Sequence, residues 1–495
     1  MKRMNALALI LALMIAATFA IGVAETKDTA KIAVYSDFAG FDPYNSGMDL
    51  DKVVYDNIFD CLLRFYDGEF EKVLCTDYTV SEDGKEYTFA LRDDVTFHNG
   101  EKFTAADVVF SMNRAKESSE MSNYTKNIVD VVALDDYNVK IVLDAPYIPF
   151  LTSVAAQVCI MNEKAVNEAG ANIKKAPCGT GPYIYKEWVS GSKVVLERNE
   201  NYYGEKPQIK HAEFVVLTNQ DTALNALETG EIDLTYTVPS IAVPMLQKSK
   251  KLTMDLNPTL GSGYIVMNLE ADWVSDPNFR MALMLATNRD NIIMMGMDGV
   301  AALSTHIWDE RTVGFSGQYD SPAYNIELAK EYLAKTSYNG ETIPFIVGME
   351  NYKKIAVVYQ EDLKQIGVKI DVQMLETNTW VSNMKSGDFA MSTIVQTFGP
   401  DVDLWNTVFA SSAIGGYNFS RLNSEVVDNA FAQGAICQDP IERANIYSAI
   451  EKEIYEGAVV IPVYNRVVTC AHANDLIVDR AYTSGFSTLS DMHWN

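Results

Sequence analysis

Few residues of this chain could do chemistry, and their spacing rules out the common reactions. The five histidines, His98, His211, His306, His472 and His493, are dispersed without metal-ligand spacing. There is no GxSxG elbow, no HExxH helix, no GxxxxGK[ST] loop and no GxGxxG opening a helix after a strand. An activated serine, a zinc-bound water and a phosphate cradle therefore all lack their parts. Gly179-Thr-Gly-Pro-Tyr183 is glycine-rich, but Pro182 and the lack of a following helix make it a chain crossover between domains. His98, in the turn Phe97-His-Asn-Gly100, reads as structural. Six cysteines, Cys61, Cys75, Cys159, Cys178, Cys437 and Cys470, include no CxxC, so redox catalysis and zinc ribbons lack their signature. Cys61 with Cys75 is a local candidate disulfide, and buried free thiols are an equal alternative.

One carboxylate is marked by the family resemblance set out below. Asp401 ends Val395-Gln-Thr-Phe-Gly-Pro-Asp401, and a carboxylate in a closed, water-poor cleft favours a cation because a buried charge must be paired. The competing reading is that Asp401 caps a helix starting near Leu404, for which Asp403 is the better placed cap. Trp380 and Trp405 divide evenly between ligand contact and core. Arg280, Arg289, Arg311 and Arg421 are all conceivable partners for a ligand carboxylate, and spacing singles out none. No cofactor and no metal site is implied.

These residues need elements to position them. Tyr87, Phe89 and Leu91 alternate with polar neighbours, as do Val95 and Phe97, which predicts half-buried strands. Asn99-Gly100 supplies a turn. Thr104 with Asp107 at N3 predicts a capped helix carrying Ala105, Val108, Val109 and Met112. Further strands are expected at 31–35, 128–143, 183–188, 193–198 and 212–217, and helices at 51–63 and 222–229. Asp276-Pro277 opens a helix whose stripe Phe279, Met281, Ala282, Leu285 and Ala286 faces a core. A helix with Ile355, Val358, Leu363 and Ile366 stops at Gly367 before the strand 368–375, a helix-to-strand unit of an α/β lobe. The helix 442–455 leads into the apolar strand 458–463.

Composition bounds the rest. Lys2 and Arg3, an apolar run from Ala6 to Ile21 and the small residues up to Ala24 predict a signal peptide cleaved near Ala24. No Cys stands there for a lipid anchor, and no later segment is apolar enough to cross a bilayer. The remaining chain of about 470 residues exceeds what one core serves, so at least two lobes are expected. Losing Lys2 and Arg3 and no acid takes the net charge from −26 to −28, which excludes nucleic acid as a partner without a localised basic face.

The segment from Tyr87 to Ser111 resembles the solute-binding proteins of the peptide, oligopeptide and nickel class (family 5) that serve ABC importers. So do Phe41-Asp42-Pro43, Gly179-Thr-Gly-Pro-Tyr183, Leu196-Glu-Arg-Asn199, Gly230-Glu-Ile-Asp233, Phe279-Arg-Met-Ala282, Leu363-Lys-Gln-Ile-Gly-Val368, Gly387-Asp-Phe389 and Ile461-Pro-Val-Tyr464, in the expected order. The resemblance implies an α/β, two-lobed periplasmic-binding-protein fold of the class II type, with an extra small domain inserted in the first lobe. Its expected divisions are 25–59, 181–268 and 475–495 for the first lobe, 60–180 for the extra domain and 269–474 for the second lobe. It implies that Asp401 pairs with a ligand α-ammonium, with Phe398 in place of the family's usual Trp, and that the main chain of Thr397 and Gly399 bonds an extended ligand. By position the loop 45–49, with Gly47 and Asp49, faces the ligand, Tyr124 reaches it from the extra domain, and Trp405 adjoins it. Gly47 stands where some peptide binders carry an acid. The implied function is capture of di- or oligopeptides by hinge closure in the periplasm, by a monomer without catalytic activity, for an ABC permease with its ATPase. The alternatives are a nickel chelate, an opine, a sugar, or sensing without transport.

Overall fold

The computed structural model describes residues 27–45, 49–66, 68–118, 120–482 and 484–495. The signal segment with its cleavage site, and Gly47, lie outside them. The spine is a pair of long strands, Leu252–Met267 and Val460–Ala473, running antiparallel to one another. On one flank Leu234–Thr235, Thr29–Val34 and His211–Val216 follow in parallel pairing, then Lys193–Arg198 and Tyr183–Val189 antiparallel. On the other flank lie Met391–Gln396, Thr342–Val347 and Lys369–Met374, the last two parallel. Helices pack on this mixed sheet, giving the α/β two-lobed arrangement.

The spine pairs from Leu252–Ala473 to Pro258–Val467, breaks, and resumes from Ser262–Asn465 to Val266–Val460. Pro258 has no N–H to give a ladder, so a break beside it follows from its chemistry. Gly263 serves a different need: a Cβ there would stand 2.3 Å from the Tyr464 ring across the ladder. The expected lobe divisions at 268/269 and 474/475 fall at the ends of these strands, whereas the pairing changes inside them.

Most local expectations are met. The capping box of Thr104 and Asp107 starts Ala105–Glu117. Asp276 caps Pro277–Leu285, and Gly367, at φ +81°, follows the helix Glu350–Lys364. Pro440–Glu456 begins at its cap Asp439, and the next strand begins at Val460. The helix expected over 51–63 is shorter, Asp49–Tyr55. It stops because the Asn57 side chain turns back to donate to the Val53 carbonyl (2.8 Å) while accepting Leu489 N–H (2.7 Å) from the returning C-terminus.

The segment expected as an extra domain has its own antiparallel sheet, ordered Cys75–Val80, Glu86–Leu91, Asn138–Leu143, Ile128–Asp135, with the helix Ala105–Glu117 against it. Tyr87, Phe89 and Leu91 are buried, as their alternation requires. That core is continuous with the first lobe's, since Ile32, Phe41 and Leu62 share one cluster with Phe89 and Met112. A second cluster, centred on Phe279, Leu283, Phe345 and Ile454, fills the other lobe.

Candidate functional site

Asp401 is engaged inside the protein. It is 1% exposed, and Arg443, on the helix Pro440–Glu456, holds it with Nη2 2.7 Å from Oδ1 and Nη1 3.0 Å from Oδ2. Oδ1 also accepts Asp403 N–H (2.9 Å), and Thr152 Oγ1 donates to Oδ2 (3.3 Å). A bidentate guanidinium pair is the strongest internal partner a carboxylate can find, so the expectation that Asp401 meets a ligand ammonium is corrected. Asp401, not Asp403, is the cap, and it starts the 3-10 turn Val402–Trp405. Asp403 is buried too, and burial and then the Asp401 charge push its carboxyl up to about 7. Arg443 carried no signal in sequence; only the fold brings it to Asp401.

Other candidates are also engaged within the protein. Trp405 is 2% exposed, stacked on Phe409 and edge-on to Phe398, and so belongs to the core, which corrects its ligand role. Trp380 is buried and donates to Ser392 Oγ (3.0 Å). Arg280 binds the Gly457 and Val274 carbonyls, Arg289 the Pro462 carbonyl, Arg311 pairs with Asp309, and Arg421 with Glu270. His98 is structural: its Nε2 donates to the Gly181 carbonyl (2.9 Å), and burial pulls its ring down to about 4. Gly181 packs against the Ile58 carbonyl carbon, 2.6 Å from where a Cβ would sit, as a crossover between chain segments requires.

A cavity of about 290 Å³ lies between the lobes. The first lobe lines it with Lys52, Asp56, Asp60 and Arg64, and the second with Thr397, Gly399 and Arg466. Lys52 is set on the helix Asp49–Tyr55 and Asp56 just after its end, so both face one way from consecutive turns. Asp60 Oδ2 accepts Tyr203 OH (2.9 Å) and Thr180 Oγ1 (3.1 Å), while Oδ1 is 3.6 Å from Arg64 and accepts no hydrogen bond. Burial raises the Asp60 carboxyl, against the pull of Arg64 and the two hydroxyls.

Thr397 is exposed, just beyond the strand Met391–Gln396, and Gly399 has φ +93°, a conformation that favours glycine. Phe398, between them, packs partly against the second lobe's core. Tyr124 is half-buried, near enough to Lys52 for that charge to act on its hydroxyl, though burial dominates and raises it. Asp49 opens the Asp49–Tyr55 helix. The structure thus brings Thr397 and Gly399 to the cavity, while Tyr124, Phe398, Asp401 and Trp405 do not line it. Its charged wall was missed because Lys52, Asp56, Asp60 and Arg64 read in sequence as an ordinary helix face. Among the described residues no group of three or more His, Cys, Asp or Glu could hold a metal ion, and no helix is long and apolar enough to cross a membrane.

Residues 69–415 match the model of the bacterial extracellular solute-binding proteins, family 5. The glutathione-binding protein GsiB of Escherichia coli K12 is 26% identical over 501 residues, covering 95% of this chain and 94% of that protein. The periplasmic binding protein DppA from Helicobacter pylori, solved with the peptide STSA, superposes with a TM-score of 0.76 at 25% identity, covering 94% of this chain and 98% of that one. NikA from Brucella suis, solved with Fe(III)-EDTA, shares the fold with a TM-score of 0.85 at 20% identity, covering 94% and 100%.

Proposed function

Because this chain belongs to the family 5 bacterial extracellular solute-binding proteins of ABC importers, we propose that it captures a short peptide in the interlobe cavity and presents it to a permease. The observation that carries this reading is the cavity itself, where groups of both charge signs from one lobe face Thr397 and Gly399 of the other. A peptide carries an ammonium, a carboxylate and a backbone able to hydrogen-bond the main chain of Thr397 and Gly399. About 290 Å³ is at the small end for ligand sites, which suits a di- or tripeptide better than a long chain. The glutathione-binding relatives and the peptide-bound DppA structure support the same ligand class.

In this reading Asp60, buried and short of one hydrogen bond, accepts from the ligand's ammonium, and Arg64 or Lys52 faces its carboxylate. Closure about the spine removes water from these pairs and strengthens them. On this proposal the protein works as a periplasmic monomer without chemistry on its ligand, in keeping with the signal-peptide composition of residues 1–24.

Thermal-shift screening of dipeptides, tripeptides, glutathione and metal chelates tests this, since a ligand bound only to the native state raises apparent stability. A peptide is expected to raise the melting temperature, and Asp60→Asn to abolish most of that rise while remaining folded. Stabilisation by chelated metal alone, or by peptides equally in Asp60→Asn, overturns the assignment. Native mass spectrometry of protein purified without refolding supplies the independent check of a carried ligand.

A further inference from the structure

Two thiols stand face to face in the wall of this cavity. Cys61 and Cys159 are 98 positions apart in sequence, yet their sulfurs are 4.0 Å apart and both residues line the interlobe space. Their backbones are already pinned together: the Ile160 N–H, next to Cys159, donates to the carbonyl of Asp60, next to Cys61 (2.8 Å). The Tyr44 hydroxyl bonds the Cys159 carbonyl from the far side. A disulfide needs its sulfurs about 2.0 Å apart with neighbouring backbones in place. Here a hydrogen bond between the adjoining residues holds the two segments side by side, with the sulfurs 4.0 Å apart and not bonded. Both line the cavity, and Cys61, partly exposed, is the more reachable of the two, Cys159 being buried.

We propose that Cys61 and Cys159 form a redox-active pair that closes to a disulfide in the exported protein and reopens with small thiols. Closure by an organic disulfide balances as two exchanges. The Cys61 thiolate attacks one sulfur of glutathione disulfide, giving a mixed disulfide and releasing one glutathione with the proton that Cys61 lost. Cys159, deprotonated in turn, attacks the Cys61 sulfur and releases the second glutathione. Two electrons pass to the small disulfide, and two protons leave with the thiols. The exported compartment that the signal-peptide composition implies is where such bonds persist. The link fastens the segment bearing Asp60 to the segment after residue 155, so the redox state of the surroundings fixes or frees one wall of the cavity.

The test is equilibration of the full mature protein in glutathione redox buffers, alkylation of free thiols and peptide mapping without reduction. The expected result is one linked pair of peptides holding Cys61 and Cys159, loss of two titratable thiols on oxidation, and their return with excess glutathione. Cys61→Ser and Cys159→Ser should each lack the link, and Cys178→Ser should keep it. Oxidised wild type should melt about 2 °C or more above its reduced form, a difference absent in Cys61→Ser. Alkylated Cys61 and Cys159 at every redox ratio, or a link to another cysteine, would overturn the pair. Mapping needs no ligand, so failure here is distinct from failure of the peptide reading.

Discussion

Asp401 shows how one residue's chemistry can be read correctly and its partner missed. A buried carboxylate demands a cation, and the fold supplies Arg443 from a helix, 42 residues on. Asp401→Ala should then cost about 3–5 kcal/mol, because Arg443 is left buried and uncompensated. Urea unfolding of the single variants and of Asp401→Ala with Arg443→Met checks this; the double variant should cost less than the sum, and additive losses would dissolve the pair. Asp403 makes a pH prediction of definite sign. Its folded carboxyl lies near 7, above the ordinary 3.8, so the folded state holds the extra proton between those values. Its contribution is therefore fully present below about pH 4 and is lost as pH rises through 7. Asp403→Asn should flatten that fall, which is at most about 1.4 kcal/mol per pH unit for one proton. An unchanged pH profile of unfolding would place the titration elsewhere.

Elements were legible where local signals agreed. The box Thr104-x-x-Asp107 and the run Tyr87, Phe89, Leu91 are satisfied by neighbours within a few residues or across one ladder, so sequence specified them. Thr104→Ala should cost about 1 kcal/mol in chemical unfolding, with any ligand-induced thermal shift unchanged, since the box lies away from the cavity. The helical pattern over 51–63 overruns the helix Asp49–Tyr55 because what stops it comes from the other end of the chain, Leu489 on Asn57. At the spine, Gly263→Ala would drive a methyl into the Tyr464 ring. It should lower the melting temperature and, if the strands bend there, slow closure measured by stopped-flow fluorescence; a variant of wild-type stability would show that the ring yields freely.

At the scale of the whole molecule the chain leaves the first lobe, returns, crosses twice through the paired strands and ends against the first lobe again. A cavity wall thus draws on residues 52–64, 397–399 and 466. The sequence by itself determined the α/β class, the order of strands and helices, the capped starts and the family resemblance. The order of elements and the capped starts follow from periodicity, caps and turns, which act over a few residues, and the fold class from the family resemblance. Only the tertiary structure decided which charges are consumed within the protein and which face the cavity. Asp401 and Asp60 are both acids in apolar surroundings, and nothing near either in the chain distinguishes them. Asp401 receives a bidentate arginine, while Asp60 keeps one oxygen without a hydrogen bond beside the cavity. Pairing a buried charge is a requirement set by desolvation, but the partner that meets it is a matter of distances between segments far apart in sequence.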